Sequence, residues 1–255
     1  EKLKDPTIRE KVSVDLRRAA LKEHSFEKRL LQIRKQAGLS IFREPSVSVV
    51  VATNRPDMTE RIFNIVKQQD YKNLELVLAL HGQGFEDSYP SFFESDMTVK
   101  VLRYPEETIF GHVLSEASAA ADGEWIAKMD DDDWYGREHI SDLLLAAGYS
   151  NADLVGKGSE FVYLTEENLT IRRDLGDSEV ESRTIGGGAI IVKAETYREL
   201  NIVPRLKLKL KTSPINKPLN NQKSNPPTGI ITPMKGTIQI PKNTNKEEFQ
   251  KLIDR

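Results

Sequence analysis

From Pro45 onward this chain repeats one unit, a short continuous apolar run followed by an amphipathic stretch, and that repetition constrains its fold more than any other feature. Residues 47–52 are a strand-length apolar run, and after Pro56 the residues Met58, Ile62, Ile65, Val66 and Gln69 recur at helical spacing. The unit then recurs: residues 74–80, 99–102 and 125–129 read as strands, and 113–121 and 137–147 as helices. Continuous apolar strands are buried on both faces, and strand–helix alternation needs crossover connections. The pattern therefore predicts an α/β fold, a mostly parallel Rossmann-like sheet flanked by helices. Residues 153–155 and 161–164 are further strand candidates. A charged stretch leads from them to Gly186, Gly187 and Gly188, a triple glycine expected to lie against a ligand or backbone. A strand through Ile190 to Val192 and a short helix over 194–200 follow.

Three segments result. Residues 1–44 form a charged helical flank in which Leu16, Ala20, Phe26, Leu30 and Ile33 recur at near-helical spacing, and Gly38 is a stop. Ser25 is placed to cap a second helix with Glu27 in its first turn, so two short helices are expected. Residues 45–203 carry the α/β domain. Residues 204–255 turn to Lys, Asn and Pro, and Pro214, Pro218, Pro226, Pro227, Pro233 and Pro241 interrupt every candidate element except a helical stretch over 246–253. This tail is expected to be irregular.

Composition excludes several classes. Lys plus Arg (37) nearly balance Asp plus Glu (39), so no global field points to nucleic acid as a partner. No cysteine is present, which removes disulfides, zinc–thiolate sites and thiol nucleophiles and suits a reducing, cytoplasmic setting. The apolar runs are far shorter than the roughly 20 residues of a membrane span, so no transmembrane segment is expected, while peripheral membrane association stays open. The chain opens with neither Met nor a signal-peptide pattern, which suits a start further upstream.

The strongest chemical signal is the fourth apolar run, Trp125-Ile126-Ala127-Lys128-Met129, which ends in Asp130, Asp131, Asp132 and Asp133. In an open parallel sheet, ligands bind beyond the carboxyl ends of the strands. Clustered carboxylates repel one another unless a cation compensates them, and hard cations such as Mg²⁺ or Mn²⁺ take oxygen ligands and bridge to phosphates. The plainer alternative is a solvated acidic turn, with one Asp capping the helix that begins near Gly136.

The order of three phrases decides between these readings: residues 47–55 (VSVVVATNR), then Gln68-Gln69-Asp70-Tyr71 with Asn73 to Val77, then residues 119–134 ending in the acidic run. Over residues 45–200 this order resembles glycosyltransferase family 2, whose members have the GT-A fold. The resemblance implies transfer of a sugar from a nucleotide-diphospho-sugar, most often a UDP-sugar, to a glycan acceptor, with Mg²⁺ or Mn²⁺ and with inversion. It places Asp130 and Asp132 on the family's Asp-x-Asp positions as metal ligands, Asp132 making the direct contact and Asp131 and Asp133 helping. It sets Ala52, Thr53 and Asn54 where the family wraps the base, and Gly186, Gly187 and Gly188 near the sugar and acceptor. Arg55 and Arg103 are candidates for phosphate contact, and His81 stands where many members carry an Asp-rich turn.

The resemblance leaves the general base unassigned. The family draws it from a carboxylate beyond the glycine-rich strand, where this chain offers Glu195 and Glu199. Asp174, Asp177, Glu179 and Glu181 lie upstream. A donor-binding module without turnover is therefore the alternative function. Paired-aspartate phosphatases place their aspartates after the first strand, and nucleotidyltransferases need a Gly-rich basic loop there, which Thr53-Asn54-Arg55-Pro56 does not supply. Finally, His24 to Leu30 is similar to the last helix of spore-type and group 1 glycosyltransferases of the GT-B fold, which implies one module of a longer protein with two transferase domains; the alternative is an ordinary amphipathic flank packed on the main domain.

Overall fold

The structure, a computed structural model, describes residues 4–39, 43–89, 92, 96–164, 166–174, 187–199 and 230–231. Nine strands occur among them: β1 (Val47–Thr53), β2 (Leu74–His81), β3 (Thr98–Tyr104), β4 (Trp125–Lys128), β5 (Leu154–Gly156), β6 (Ser159–Leu164), β7 (Leu169–Asp174), β8 (Ile190–Lys193) and β9 (Ile230–Ile231). The helices are α1 (Pro6–Glu23), α2 (Phe26–Gln36), α3 (Thr59–Lys67), α4 (Phe110–Ala119), α5 (His139–Ser150) and α6 (Ala194–Glu199).

The main sheet has the order β3-β2-β1-β4-β8-β5-β9. Strands β1, β2, β3 and β4 pair in parallel, and β8 runs antiparallel to both of its neighbours, β4 and β5. The central strand β1 is buried at every residue, as its mostly apolar run requires, and its one interior polar residue, Ser48, donates to Glu75. Its side chains alternate between two cores. Val47, Val49 and Val51 pack with Ile62, Phe63 and Val66 of α3 and Ile140 and Leu143 of α5, whereas Val50 and Ala52 pack with Val113 and Ala117 of α4. Helices thus cover both faces, the mostly parallel α/β arrangement that the sequence predicts.

The differences are local. Helix α4 starts at Phe110, earlier than its apolar stripe shows, because Ile109 supplies the extended N-cap residue. Strand β7, LTIRRD, lies at the start of the charged stretch, where the sequence shows no strand, and pairs with β6 in a separate two-stranded sheet. In the tail, Ile230–Ile231 pairs in parallel with Leu154 and Val155 despite the surrounding prolines. The rest of residues 201–255, with the expected 246–253 helix, lies outside the described residues, as do Asp177, Glu179, Glu181 and Gly186.

In the flank, Ser25 caps α2 by accepting from the Lys28 amide at 3.2 Å. The recurrent apolar residues there do not face the domain: Leu16, Phe26 and Ile33 are 65%, 88% and 61% exposed. Charge attaches α1 instead. Arg18 donates to both carboxylate oxygens of buried Asp142 on α5 (3.0 and 2.8 Å), and Lys22 donates to Asp70 at 2.7 Å. No helix among the described residues is long and apolar enough to cross a membrane.

Candidate functional site

Three chain segments converge at the carboxyl edge of the sheet. Strand β1 delivers Thr53, Asn54 and Arg55, and β4 delivers Met129 and the aspartates. Because β8 is reversed, its first residue, Ile190, pairs with Lys128, which brings Gly187 and Gly188 to the same edge.

The acidic loop is held from several sides. Thr53 Oγ1 donates to Asp131 Oδ2 at 2.6 Å, and Arg55 Nε reaches the same oxygen at 3.0 Å while its Nη2 reaches Asp131 Oδ1. The same Nη2 lies 3.1 Å from Asp132 Oδ2. Burial alone would raise the Asp131 pKa, but the hydrogen bonds from Arg55 and Thr53 and the Arg55 charge outweigh it and hold the carboxyl below its usual range. Those same hydrogen bonds, first to Asp131 and then to Asp132, keep Arg55 charged.

Two further cations were not singled out from the sequence. Lys128 Nζ donates to Asp130 Oδ1 and to the Gly187 carbonyl at 3.1 Å. Arg61, on α3, donates to the carbonyls of Asp131, Asp132 and Asp133 at 3.0, 3.2 and 2.9 Å and lies 4.4 Å over the Trp134 ring. The signal for Lys128 was present, as one cation in an apolar strand immediately before the run. Arg61 carried none, since its helical position says nothing about a loop seventy residues on.

Tyr135 joins the acidic and glycine loops. Its oxygen accepts from the Asp130 amide at 2.7 Å, and its hydroxyl donates to the Gly188 carbonyl at 2.6 Å. Burial, the largest cause, raises its pKa, and the nearby aspartates add to it, so the hydroxyl stays protonated and keeps its donor. Gly188 permits the approach: a Cβ there would stand 2.4 Å from Asp130 Oδ2 and 2.9 Å from Asp133 Oδ2. Behind the loop, fully buried Gln69 donates to the carbonyls of Ile65 and Gly136 (3.3 and 3.0 Å) and accepts from the Ile140 amide at 3.2 Å.

The remaining predicted positions divide. Asn54 is exposed on the turn after β1, whereas the Ala52 side chain points into the α4 core, so a ligand would meet only its main chain. His81 closes β2, one strand from β1, with its Nε2 buried and unpaired and its ring 6.4 Å from that of Phe110. Arg103, on β3, donates to the Glu86 carbonyl, two strands from β1. Glu195 and Glu199 ride on α6, which follows Lys193; that residue pairs with Trp125 at the opposite edge of the sheet.

Asp130 and Asp132 are the loop carboxylates that could reach a hard divalent ion. Among the described residues no three His, Asp or Glu side chains form a complete cage. Asp131 is engaged by Arg55 and Thr53, while Asp132 keeps 59% and Asp130 40% of its side chain exposed. Two carboxylates completed by phosphate oxygens and water are a common Mg²⁺ coordination pattern, and Mn²⁺ accepts the same ligands.

The sequence matches the model of glycosyl transferase family 2 over residues 48–181, more than half of its length, and the chain belongs to that family. Among solved structures it is similar to the mannosyltransferase PcManGT from Pyrobaculum calidifontis in complex with GDP-Man and Mn2+, at 17% identity and a TM-score of 0.47. That match covers 75% of this chain and 58% of the other. It is also similar to S. aureus TarS 1-349, at 20% identity and a TM-score of 0.49, over 62% of this chain and 50% of the other. The chain thus spans less than two thirds of either. No curated protein sequence matches significantly.

Proposed function

We propose that this chain binds a nucleotide-diphospho-sugar, with UDP favoured, together with Mg²⁺ or Mn²⁺, and transfers the sugar with inversion to a hydroxyl of a glycan. The observation that carries this reading is the convergence of the Thr53–Arg55 turn, the acidic loop and the Gly187–Gly188 loop on one edge of the sheet. Asp130 and Asp132 would hold the ion, which in such a site stabilises charge on the leaving diphosphate. Thr53 and Asn54 line the place of the nucleoside, Arg55 faces the phosphates, and Gly187 and Gly188 leave room for the sugar. His81 borders the base from β2.

For the general base we favour Asp174. Strand β5 ends at the carboxyl edge with Gly156, β6 begins three residues on with Ser159, and Ser159 pairs with Asp174. The backbone of Asp174 therefore returns to the edge that carries the aspartates, whereas Glu195 and Glu199 follow β8 to the far edge. That far-edge position favours the second reading, a donor-binding module without turnover, if Asp174 is inert.

One set of measurements tests both. Calorimetry with UDP and Mn²⁺ should show binding that Asp132→Ala abolishes while its circular dichroism matches wild type; unchanged affinity would remove the site assignment. UDP release from UDP-sugars offered with glycan acceptors should then fall about 10² to 10⁴-fold in Asp174→Asn, the usual contribution of a general base. Intact donor binding with no acceptor-dependent turnover in wild type selects the second reading.

A further inference from the structure

Four adjacent carboxylates on one loop should repel one another, yet the structure shows how three of them coexist. Asp130 is paired with Lys128, and Asp131 and Asp132 share the guanidinium of Arg55. Arg55 does not sit symmetrically. Two of its nitrogens form a fork on Asp131, whose side chain is only 13% exposed, while Nη2 alone reaches Asp132, which is 59% exposed. The fork is the anchored contact, and the reach to Asp132 is the yielding one.

The geometry points to Arg55 as a built-in counter-ion that makes divalent-cation binding at Asp132 conditional on a diphosphate. This inference rests on the reading of the site given above. A Mg²⁺ or Mn²⁺ ion on Asp132 Oδ2 would lie about 2.1 Å from that oxygen, and Arg55 Nη2 lies 3.1 Å from it, so ion and guanidinium would stand within about 5 Å. At that distance the like charges oppose each other strongly, and water at the protein surface screens them only in part. A diphosphate removes the conflict. Its oxygens accept from Arg55 on one side and ligate the ion on the other, so each positive partner raises the affinity for the other through the shared anion. The anchored fork on Asp131 keeps the guanidinium at the site while its third contact changes from Asp132 to phosphate. No bond is made or broken; the step is an exchange of ion pairs.

The experiment measures Mn²⁺ binding directly, by the electron paramagnetic resonance signal of the free ion, with no ligand, with UMP or with UDP. Wild type should bind Mn²⁺ at least about tenfold more tightly with UDP than alone, within the usual range of coupling between sites, and UMP should give much less. Arg55→Met should bind Mn²⁺ about fivefold or more tightly without nucleotide, bind UDP more weakly, and lose most of the coupling. Arg55→Lys keeps the charge and should leave nucleotide-free Mn²⁺ binding weak. Equal wild-type Mn²⁺ affinity with and without UDP, in protein that calorimetry shows to bind UDP, overturns the inference, whatever the variants do. So does Arg55→Met, folded by circular dichroism, with unchanged nucleotide-free affinity. Wild type that binds UDP in neither condition removes instead the reading of the site itself.

Discussion

Replacing Tyr135 with Phe deletes one oxygen and keeps the ring that packs edge-on, 4.8 Å between centroids, against buried His139. That oxygen accepts from the Asp130 amide and donates to the Gly188 carbonyl, so two hydrogen bonds between separate loops vanish together. A neutral hydrogen bond contributes about 0.5–1.5 kcal/mol net, which for two gives about 1–3 kcal/mol. Asp130 and Gly188 are only half-buried, so water replaces part of what is lost and the expected cost is about 1–2 kcal/mol. Urea unfolding followed by circular dichroism should show a lower midpoint with an unchanged slope, and Tm should fall by about 2–8 °C. UDP binding with Mn²⁺ should weaken as well, since the loops proposed to flank the donor are no longer tied. A Phe variant within about 0.3 kcal/mol of wild type, with the same slope, would refute the claim that this hydroxyl holds the two loops together.

Two further outcomes follow from the same geometry. Gly188→Ala should leave Tm within a few degrees, because the carboxylates its Cβ would strike can rotate toward solvent, yet weaken UDP–Mn²⁺ binding at least about tenfold by moving Asp130; calorimetry beside a thermal melt separates the two effects. Asp131 has a folded pKa below its unfolded value of about 3.9, so its stabilisation is complete above that pH and is lost as pH falls through the folded value; Asp131→Asn should therefore show a shallower loss of stability below about pH 4 than wild type, read from urea midpoints.

Much of the fold was legible because the central strands are buried on both faces. Val47 to Ala52 and Leu74 to Leu80 read as strands without any knowledge of partners, and every residue of β1 is indeed buried. Strand β7 was illegible for the opposite reason, since a charged hairpin outside the core carries little of the apolar alternation that marks a strand. At the site, the acidic run and the glycines were visible as local words. What balances the run was not. Taken alone, the run implies compensation by a bound cation, whereas Arg55 and Lys128 supply part of it from the chain itself. Arg55 is 76 residues from Asp131, and only the parallel pairing of β1 with β4 brings the two together. In the flank, the apolar periodicity marks the helices but not what holds them: Leu16, Phe26 and Ile33 are exposed, and α1 is held by Arg18 on Asp142.

The reversal of β8 also bears on the order in which the molecule can acquire competence. Strands β1, β2 and β3 are near neighbours in sequence, and loop-closure entropy favours their early pairing. β4 must find β1 across the intervening α3, β2, β3 and α4, and β8 must then find β4, with Trp125 pairing to Lys193. The edge proposed to bind nucleotide draws on β1, β4 and the start of β8, so it exists only after the slowest pairing has closed. A refolding chain should regain its far-ultraviolet signal before it regains UDP binding, and detachment of β8 alone would abolish recognition while β1, β2 and β3 remain folded.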